Sequence, residues 1–292
     1  MTTLTLTTSR RRRSPRQLGS AALRVLLILA LLAIVLYPLG WLAASSLKPN
    51  DEVARNLGLI PEHPTLANYA RGWNGLQTVS FARFFLNSTV IALAVVLANC
   101  VSCIVSAYAF ARLRFPLRGA FFAIMIATLL LPHHVLIVPQ FVLFKFLGWI
   151  DTPLPLIVPK LLATEAFFVF LMVQFMRGIP RELDQAAKVD GCSPYGIFRY
   201  VILPLSRPAL VTTAIFSFIW TWNDFFSQLI YLNSPDKYTV PIGLRLFVGS
   251  EGQTELGPMF AMSILSLLPV FLFFLAFQRL LVEGINTQGL KG

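Results

Sequence analysis

Two polar patches in an otherwise apolar chain carry the residue types that could do work. The first is Glu182-Leu183-Asp184-Gln185-Ala186-Ala187-Lys188-Val189-Asp190-Gly191, followed ten residues later by Val201-Ile202-Leu203-Pro204. Pro180 suits a first helical position. Glu182 and Asp184 put negative charge at a helix N-terminus, Lys188 puts positive charge near its C-terminus, and Gly191 can take a left-handed cap. Ser193 and Pro194 then read as the N-cap and first-turn proline of a second helix through Ile197 and Phe198, which must stop before Pro204. The spacing predicts a helix-turn-helix elbow, whose plainest reading is an ordinary helical hairpin.

The second patch is Trp220, Trp222, Asn223, Asp224, Ser227 and Gln228, set in an apolar run. An ionised aspartate near the middle of a membrane helix costs about 2.5 to 3.5 kcal/mol on insertion scales, so Asp224 is expected to face protein or water. On a continuous helix Asn223 and Asp224 sit one turn from Ser227 and Gln228, a polar stripe that would line a pathway or a helix interface. Aromatic rings beside hydroxyl-binding groups would suit a carbohydrate, and Trp220 and Trp222 equally suit packing. Glu165 has Lys160 as a nearby partner, either in a pathway or as a structurally satisfied pair. His133 and His134 follow Pro132 and read as packing residues or as a gate.

Catalytic signatures are not found. The sequence has no Gly-x-x-x-x-Gly-Lys-Ser/Thr loop for nucleotide phosphates, no His-Glu-x-x-His and no Gly-x-Ser-x-Gly. The chain is therefore not expected to be an enzyme, to hydrolyse ATP itself or to bind a cofactor. Cys100 and Cys103 lie one helical turn apart without third and fourth metal ligands, so neither a metal site nor a disulfide is expected.

The elements that must position these patches follow from composition. Hydrophobic residues make up 56% of the 292, charged residues only 13%, and the mean hydropathy is +0.71, which places the chain in a bilayer. A span needs about 20 predominantly apolar residues, and six segments qualify: 22–45, 87–110, 120–147, 154–176, 209–231 and 259–281. They are too long and too uniformly apolar for the alternating strands of a membrane barrel, so an all-α membrane protein is predicted. Prolines 132, 139, 153, 155 and 159 imply bent helices around the third and fourth segments.

The cations set the orientation. With the N-terminus inside, Arg10 to Arg13, Arg16, Arg24, Arg112, Arg114, Arg118, Arg177, Arg181, Lys188, Arg199, Arg207, Arg279 and Lys291 all fall inside. The excess predicts both termini and the elbow on the cytoplasmic side. The net charge of +11 is thus a topology signal. It does not indicate nucleic-acid binding, because the arginine cluster sits in a Thr/Ser/Arg-rich tail over residues 1–20, expected to be disordered. The first apolar run is longer than the roughly 7 to 15 residues of a signal-peptide core and contains Pro38, so it reads as an uncleaved span.

The elbow resembles the EAA loop of permease subunits of binding-protein-dependent ABC importers: Glu-Ala-Ala, three residues, Gly, nine residues, then Ile-x-Leu-Pro. Ala186, Ala187, Gly191, Leu203 and Pro204 fit, with Gln185 in place of Glu and Val201 in place of Ile. The stretch around Asn223 and Asp224, the segment from Tyr238 to Leu244, the ending from Gln278 to Gly292, and Pro64-Thr65-Leu66-Ala67-Asn68-Tyr69 resemble the second permease of maltose-type systems. The resemblance implies the six-helix fold of a type I ABC importer permease, with MetI-like architecture and a cytoplasmic coupling helix. It divides the chain into a tail (1–20), a first span and outer loop (21–83), a core (84–282) with the coupling loop at 178–208, and a C-terminal tail (283–292).

By the same resemblance, Glu182, Gln185, Ala186, Ala187, Asp190, Gly191, Leu203 and Pro204 couple to an ATPase, the small alanines letting the helix seat in a groove. Trp220, Asn223, Asp224, Ser227 and Gln228 line the pathway. The implied partners are a homologous permease, two nucleotide-binding subunits that hold ATP and Mg, an extracytoplasmic solute-binding protein delivering a sugar to loops 47–83 and 236–257, and the lipid of a bacterial or archaeal cytoplasmic membrane. The final residues, 284–292, would tuck between the ATPase subunits. An ion-coupled secondary transporter is the alternative, although the two halves show no repeated pattern.

Overall fold

Backbone groups in lipid must bond within their own segment, so long apolar runs form helices. The computed structural model describes residues 15–75, 79–249 and 254–288, and no strand occurs among them. The first helix begins at Pro15, so residues 15–20 of the expected tail are helical, while Arg10 to Arg13 lie outside the described residues. The last helix, Leu256–Gln288, likewise runs on into the expected C-terminal tail, whose end, including Lys291, is also outside them.

Four stretches are individually long and apolar enough to cross a bilayer: Leu23–Ser46, Phe81–Arg112, Leu154–Arg177 and Leu256–Leu280. A fifth, Arg207–Asn223, follows the helix Pro194–Leu205 at a bend of 70°. The third predicted segment is divided into Arg118–Thr128 and His133–Phe146. Pro132 explains the division, because it has no N–H to donate and disfavours helical backbone at Leu131. The residues before it close as tight turns, Leu130 and Leu131 donating to the carbonyls of Ala127 and Thr128.

The second span, Phe81–Arg112, is unbroken over 32 residues and forms the axis of the bundle. Its residues enter all three buried clusters: Ile104, Ala107 and Ala111 in one, Ala92 and Val96 in another, Ile91 and Val95 in the third. Lipid is as apolar as these side chains, so close van der Waals fit holds the helices together. The small buried residues Ala92, Ala98, Ser102, Cys103 and Ala107 permit that approach. The first span lies outside the bundle, its leucines from Leu23 to Leu39 exposed, and meets the last span where Trp41 packs edge-on against Phe260 at 5.3 Å.

Odd and even spans run in opposite directions, giving the bundle a loop face and an elbow face. On the loop face residues 46–75 fold into a cap of their own. Lys48 is fully buried and its Nζ donates to the carbonyls of Asn56 (2.7 Å) and Gly58 (2.6 Å). The Glu52 carboxylate accepts from the backbone N–H groups of Glu62 (2.8 Å) and His63 (3.2 Å), which hold its pKa below the usual value.

Asp151 ties the two other loops together. With left-handed backbone (φ 61°), it accepts from the N–H groups of Asn233 and Ser234 (both 2.9 Å), from Ser234 Oγ (2.6 Å) and from Lys237 Nζ (2.8 Å). Burial alone would raise its pKa, but the bonds from Lys237 and Ser234 outweigh it and hold the carboxyl well below the usual aspartate range. A depressed folded-state pKa means that the clasp contributes stability above the unfolded value of about 3.9 and loses it as pH falls below that value. Asp151→Asn, which keeps a residue tolerant of the left-handed backbone, is expected to speed amide exchange at residues 233–237 about tenfold at pH 7. This corresponds to loss of about 1.5 kcal/mol for a charge-assisted bond. Hydrogen exchange in detergent would check it, together with a blunted response to acid.

Candidate functional site: an elbow and a cavity joined by one helix

The elbow forms as its residues dictate. Its first helix spans Glu182–Val189, with Glu182 and Asp184 in the first turn and Lys188 in the last. It starts two residues after Pro180, which lies just outside it. Gly191 takes the left-handed conformation (φ 83°), and the cap is a Schellman motif: Cys192 N–H donates to Ala187 O (2.9 Å) and Gly191 N–H to Lys188 O (3.0 Å). Ser193 caps the next helix, its Oγ accepting from Gly196 N–H at 3.2 Å.

That second helix does not stop before Pro204. It widens into a π-helix over Phe198–Ile202 and passes through Pro204 to Leu205. The wider turn accommodates a proline that cannot donate to the carbonyl four residues back. The chain bends only at Ser206, before Arg207–Asn223 begins.

The expected coupling residues separate by face. Glu182, Gln185, Ala186, Asp190 and Gly191 are exposed, beside Leu183 and Val189, which is 88% exposed. Ala187 instead is buried with Tyr108, Ala111, Met176 and Ile197 in this chain's own core. Adjacent residues on a helix point about 100° apart, so the pair divides, Ala186 facing outward and Ala187 inward. Leu203 and Pro204 are half-buried in the second arm.

The second patch opens onto a cavity of about 900 Å³, lined by all five expected pathway residues, Trp220, Asn223, Asp224, Ser227 and Gln228. The continuous helical stripe does not form. The helix ends at Asn223, Asp224 has extended backbone, and a new helix spans Phe226–Tyr231. Asp224 Oδ1 accepts from Ser227 N–H at 3.0 Å, capping that helix, a local bond that competes with helix continuation. Ser227 and Gln228 are buried, and the Gln228 amide is spent on Thr221 O (2.9 Å) and the Thr239 hydroxyl. Trp220, 47% exposed, stacks on Phe168 at 5.0 Å. Trp222 is packing, buried with its Nε1 donating to Ser266 O at 3.1 Å.

Two other broken segments meet at the same cavity. The fourth breaks between Leu161 and Ala166, where Ala163 takes left-handed backbone and the Lys160–Glu165 ion pair spans the break. At the break of the third, His134 faces the ring of Phe226 edge-on at 4.9 Å; the side chain of His133 lies outside the described residues. The second span contributes Asn99, which donates to Ser217 Oγ at 2.9 Å. Asn99, Gln140 and Ser217 were legible only as polar residues in apolar runs, with no pattern to single them out.

The cavity therefore presents hydroxyl, amide and carboxylate groups beside an exposed indole. No His/Cys/Asp/Glu group suited to a metal occurs among the described residues. Such a lining can bind and pass a polar solute.

Residues 101–287 match the family described as binding-protein-dependent transport system inner membrane component. The chain is 32% identical over 272 residues to the trehalose/maltose transport system permease protein of Thermococcus litoralis, covering 92% of this chain and 97% of that one. It is 31% identical over 267 residues to the galactooligosaccharides transport system permease protein of Bacillus subtilis (91% and 94%). Its fold matches a chain of the bacterial ABC transporter that imports the acidic polysaccharide alginate, with a TM-score of 0.78, 20% identity and 92% and 98% coverage. An apolar helical bundle with a capped elbow on one face and a polar cavity inside, matched along nearly its whole length by these permeases, belongs to the inner membrane components of binding-protein-dependent transport systems.

Proposed function

We propose that this chain forms one half of the translocation pathway of an ATP-driven importer for a sugar, an oligosaccharide or a related derivative. The observation that carries this reading is the cavity, where the Trp220 indole lies beside Asn223, Asp224 and the Lys160–Glu165 pair. Flat apolar sugar faces pack on aromatic rings, and hydroxyls bond to carboxylate and amide groups. Several relatives are named as permeases for arabinooligosaccharides, galactooligosaccharides and trehalose/maltose, which supports the same substrate class.

In this reading the elbow face is cytoplasmic, as are both termini, in a bacterial or archaeal cytoplasmic membrane. A homologous permease completes the pathway. Two separate subunits bind ATP and Mg and hydrolyse the nucleotide, and Glu182, Leu183, Gln185, Ala186 and Val189 form the surface that one of them grips. An extracytoplasmic solute-binding protein docks on the loop face; a bacterial alginate ABC transporter of similar fold forms a complex with an alginate pentasaccharide-bound periplasmic protein, which supports this. Closure of the ATPase pair moves the elbows and switches the cavity from one face to the other.

Purification from native membrane in mild detergent is expected to recover a second permease and an ATPase subunit with this chain. Uptake in proteoliposomes is then expected to require internal ATP and to survive collapse of ion gradients. Gradient-dependent uptake without ATP would favour the secondary-transporter alternative. Trp220→Ala is expected to leave assembly intact and lower uptake about tenfold, equivalent to about 1.4 kcal/mol. Normal uptake by that variant would remove the indole from the pathway.

Gly191→Val should abolish transport and uncouple ATP hydrolysis while membrane insertion stays normal. The space around Gly191 is open, so the effect comes from left-handed backbone, costing a β-branched residue about 1 to 3 kcal/mol. Gly191→Asn, which tolerates that conformation, should retain most uptake. Equal uptake by all three proteins would show that the cap has no part in coupling.

A further inference from the structure

The last turn of the second span holds the elbow through a set of contacts that the coupling motif does not include. Arg112, its final residue, has a side chain only 3% exposed. Its Nη2 donates to the carbonyls of Met176 (2.9 Å) and Ile179 (2.8 Å), where the chain leaves the fourth span for the elbow. Its Nη1 faces Asp184 Oδ2 of the elbow helix at 3.4 Å. One turn earlier Tyr108 donates to Pro194 O (2.8 Å), and its ring packs against Phe198 at 5.0 Å. One guanidinium thus joins three pieces of chain: the second span, the end of the fourth and the elbow helix.

The Arg112–Asp184 contact is long for a buried ion pair, and both partners hold bonding capacity in reserve. Arg112 Nε and Asp184 Oδ1 are buried without hydrogen-bond partners. Leaving such groups unsatisfied is costly, so a small shift of the elbow helix toward Arg112 would be rewarded by a closer pair. The second span can carry that shift, being unbroken where the third, fourth and fifth segments break at the cavity. Asn99 lies 13 residues before Arg112, about 20 Å along the helix, and its side chain bonds Ser217 at the cavity wall.

We propose that Arg112 is a positioning residue for transport, which couples movement of the elbow helix, through Asp184, to the second span and hence to the cavity. This inference rests on the importer reading above. A two-state element biased from one end and read at the other is what coupling between distant sites requires.

The test uses the full transporter, this chain with its partner permease and ATPase subunits, with Cys100, Cys103 and Cys192 replaced by alanine. Thr128→Cys, exposed at the cavity, serves as reporter for a fluorescent maleimide. In the parent complex, ATP with Mg and vanadate is expected to change the labelling rate. Asp184→Asn keeps the side-chain shape and leaves Arg112 bonded to Met176 and Ile179. It is expected to assemble and hydrolyse ATP while the nucleotide-dependent change in labelling falls about fivefold. Arg112→Lys, which retains charge but cannot serve three acceptors in the same fork geometry, should move the same way.

An Asp184→Asn complex that hydrolyses ATP and switches like the parent would overturn the proposal. So would failure of that variant to assemble, since the pair would then be a folding contact only. A parent complex whose labelling ignores nucleotide would overturn the importer reading itself, and the clamp with it.

Discussion

A backbone carbonyl or amide at bilayer depth must find its partner within the protein, and irregular backbone is tolerated there only where it lines a cavity or is packed over. The architecture depends on that constraint. Three spans break, at residues 129–132, 162–165 and 224–225, and all three breaks face the same cavity. Local devices repair each one: tight turns before Pro132, Thr164 Oγ1 bonding Pro159 O (3.0 Å), and the Asp224 carboxylate capping Phe226–Tyr231. The polar groups that make the cavity useful are in part the groups that make the breaks affordable.

The unbroken second span is the complement of those breaks. It supplies residues to all three buried clusters and lines the cavity at Val95 and Asn99. It also reaches the elbow with Tyr108 and Arg112. On the loop face Arg83 and Asn87 at its other end bond the carbonyl of Asp236, and Asn87 also that of Tyr238. A continuous helix touching both faces and the cavity, packed against the three broken segments, physically links the two faces.

Most of the elbow was legible in the sequence because its determinants are local. A left-handed glycine, an N-cap serine and charges matched to a helix dipole act within a few residues, and the structure places Gly191 and Ser193 in the expected roles. The departure at Pro204 is local as well. Proline argued for a stop, whereas the backbone widened into a π-turn and carried on to Leu205, because the flanking arm packs Ile197 and Ile202 into the core. The division of the alanine pair needed the docked position of the helix, which no spacing supplies.

The sequence by itself determined the membrane setting, the six apolar segments, the elbow and its cap, and the polar character of the second patch, since each follows from hydropathy or from contacts a few residues apart. Tertiary structure decided the rest. Asp224 could be read as one step of a helical stripe until packing showed it as the cap at a break. Arg112 looked like one of many basic residues at a span end until the fold buried it against Asp184, Met176 and Ile179. Lys160 and Glu165 became a pair spanning a break, and residues from four segments came together around one cavity. Those relations join residues dozens of positions apart, and their energies exist only once the helices have packed.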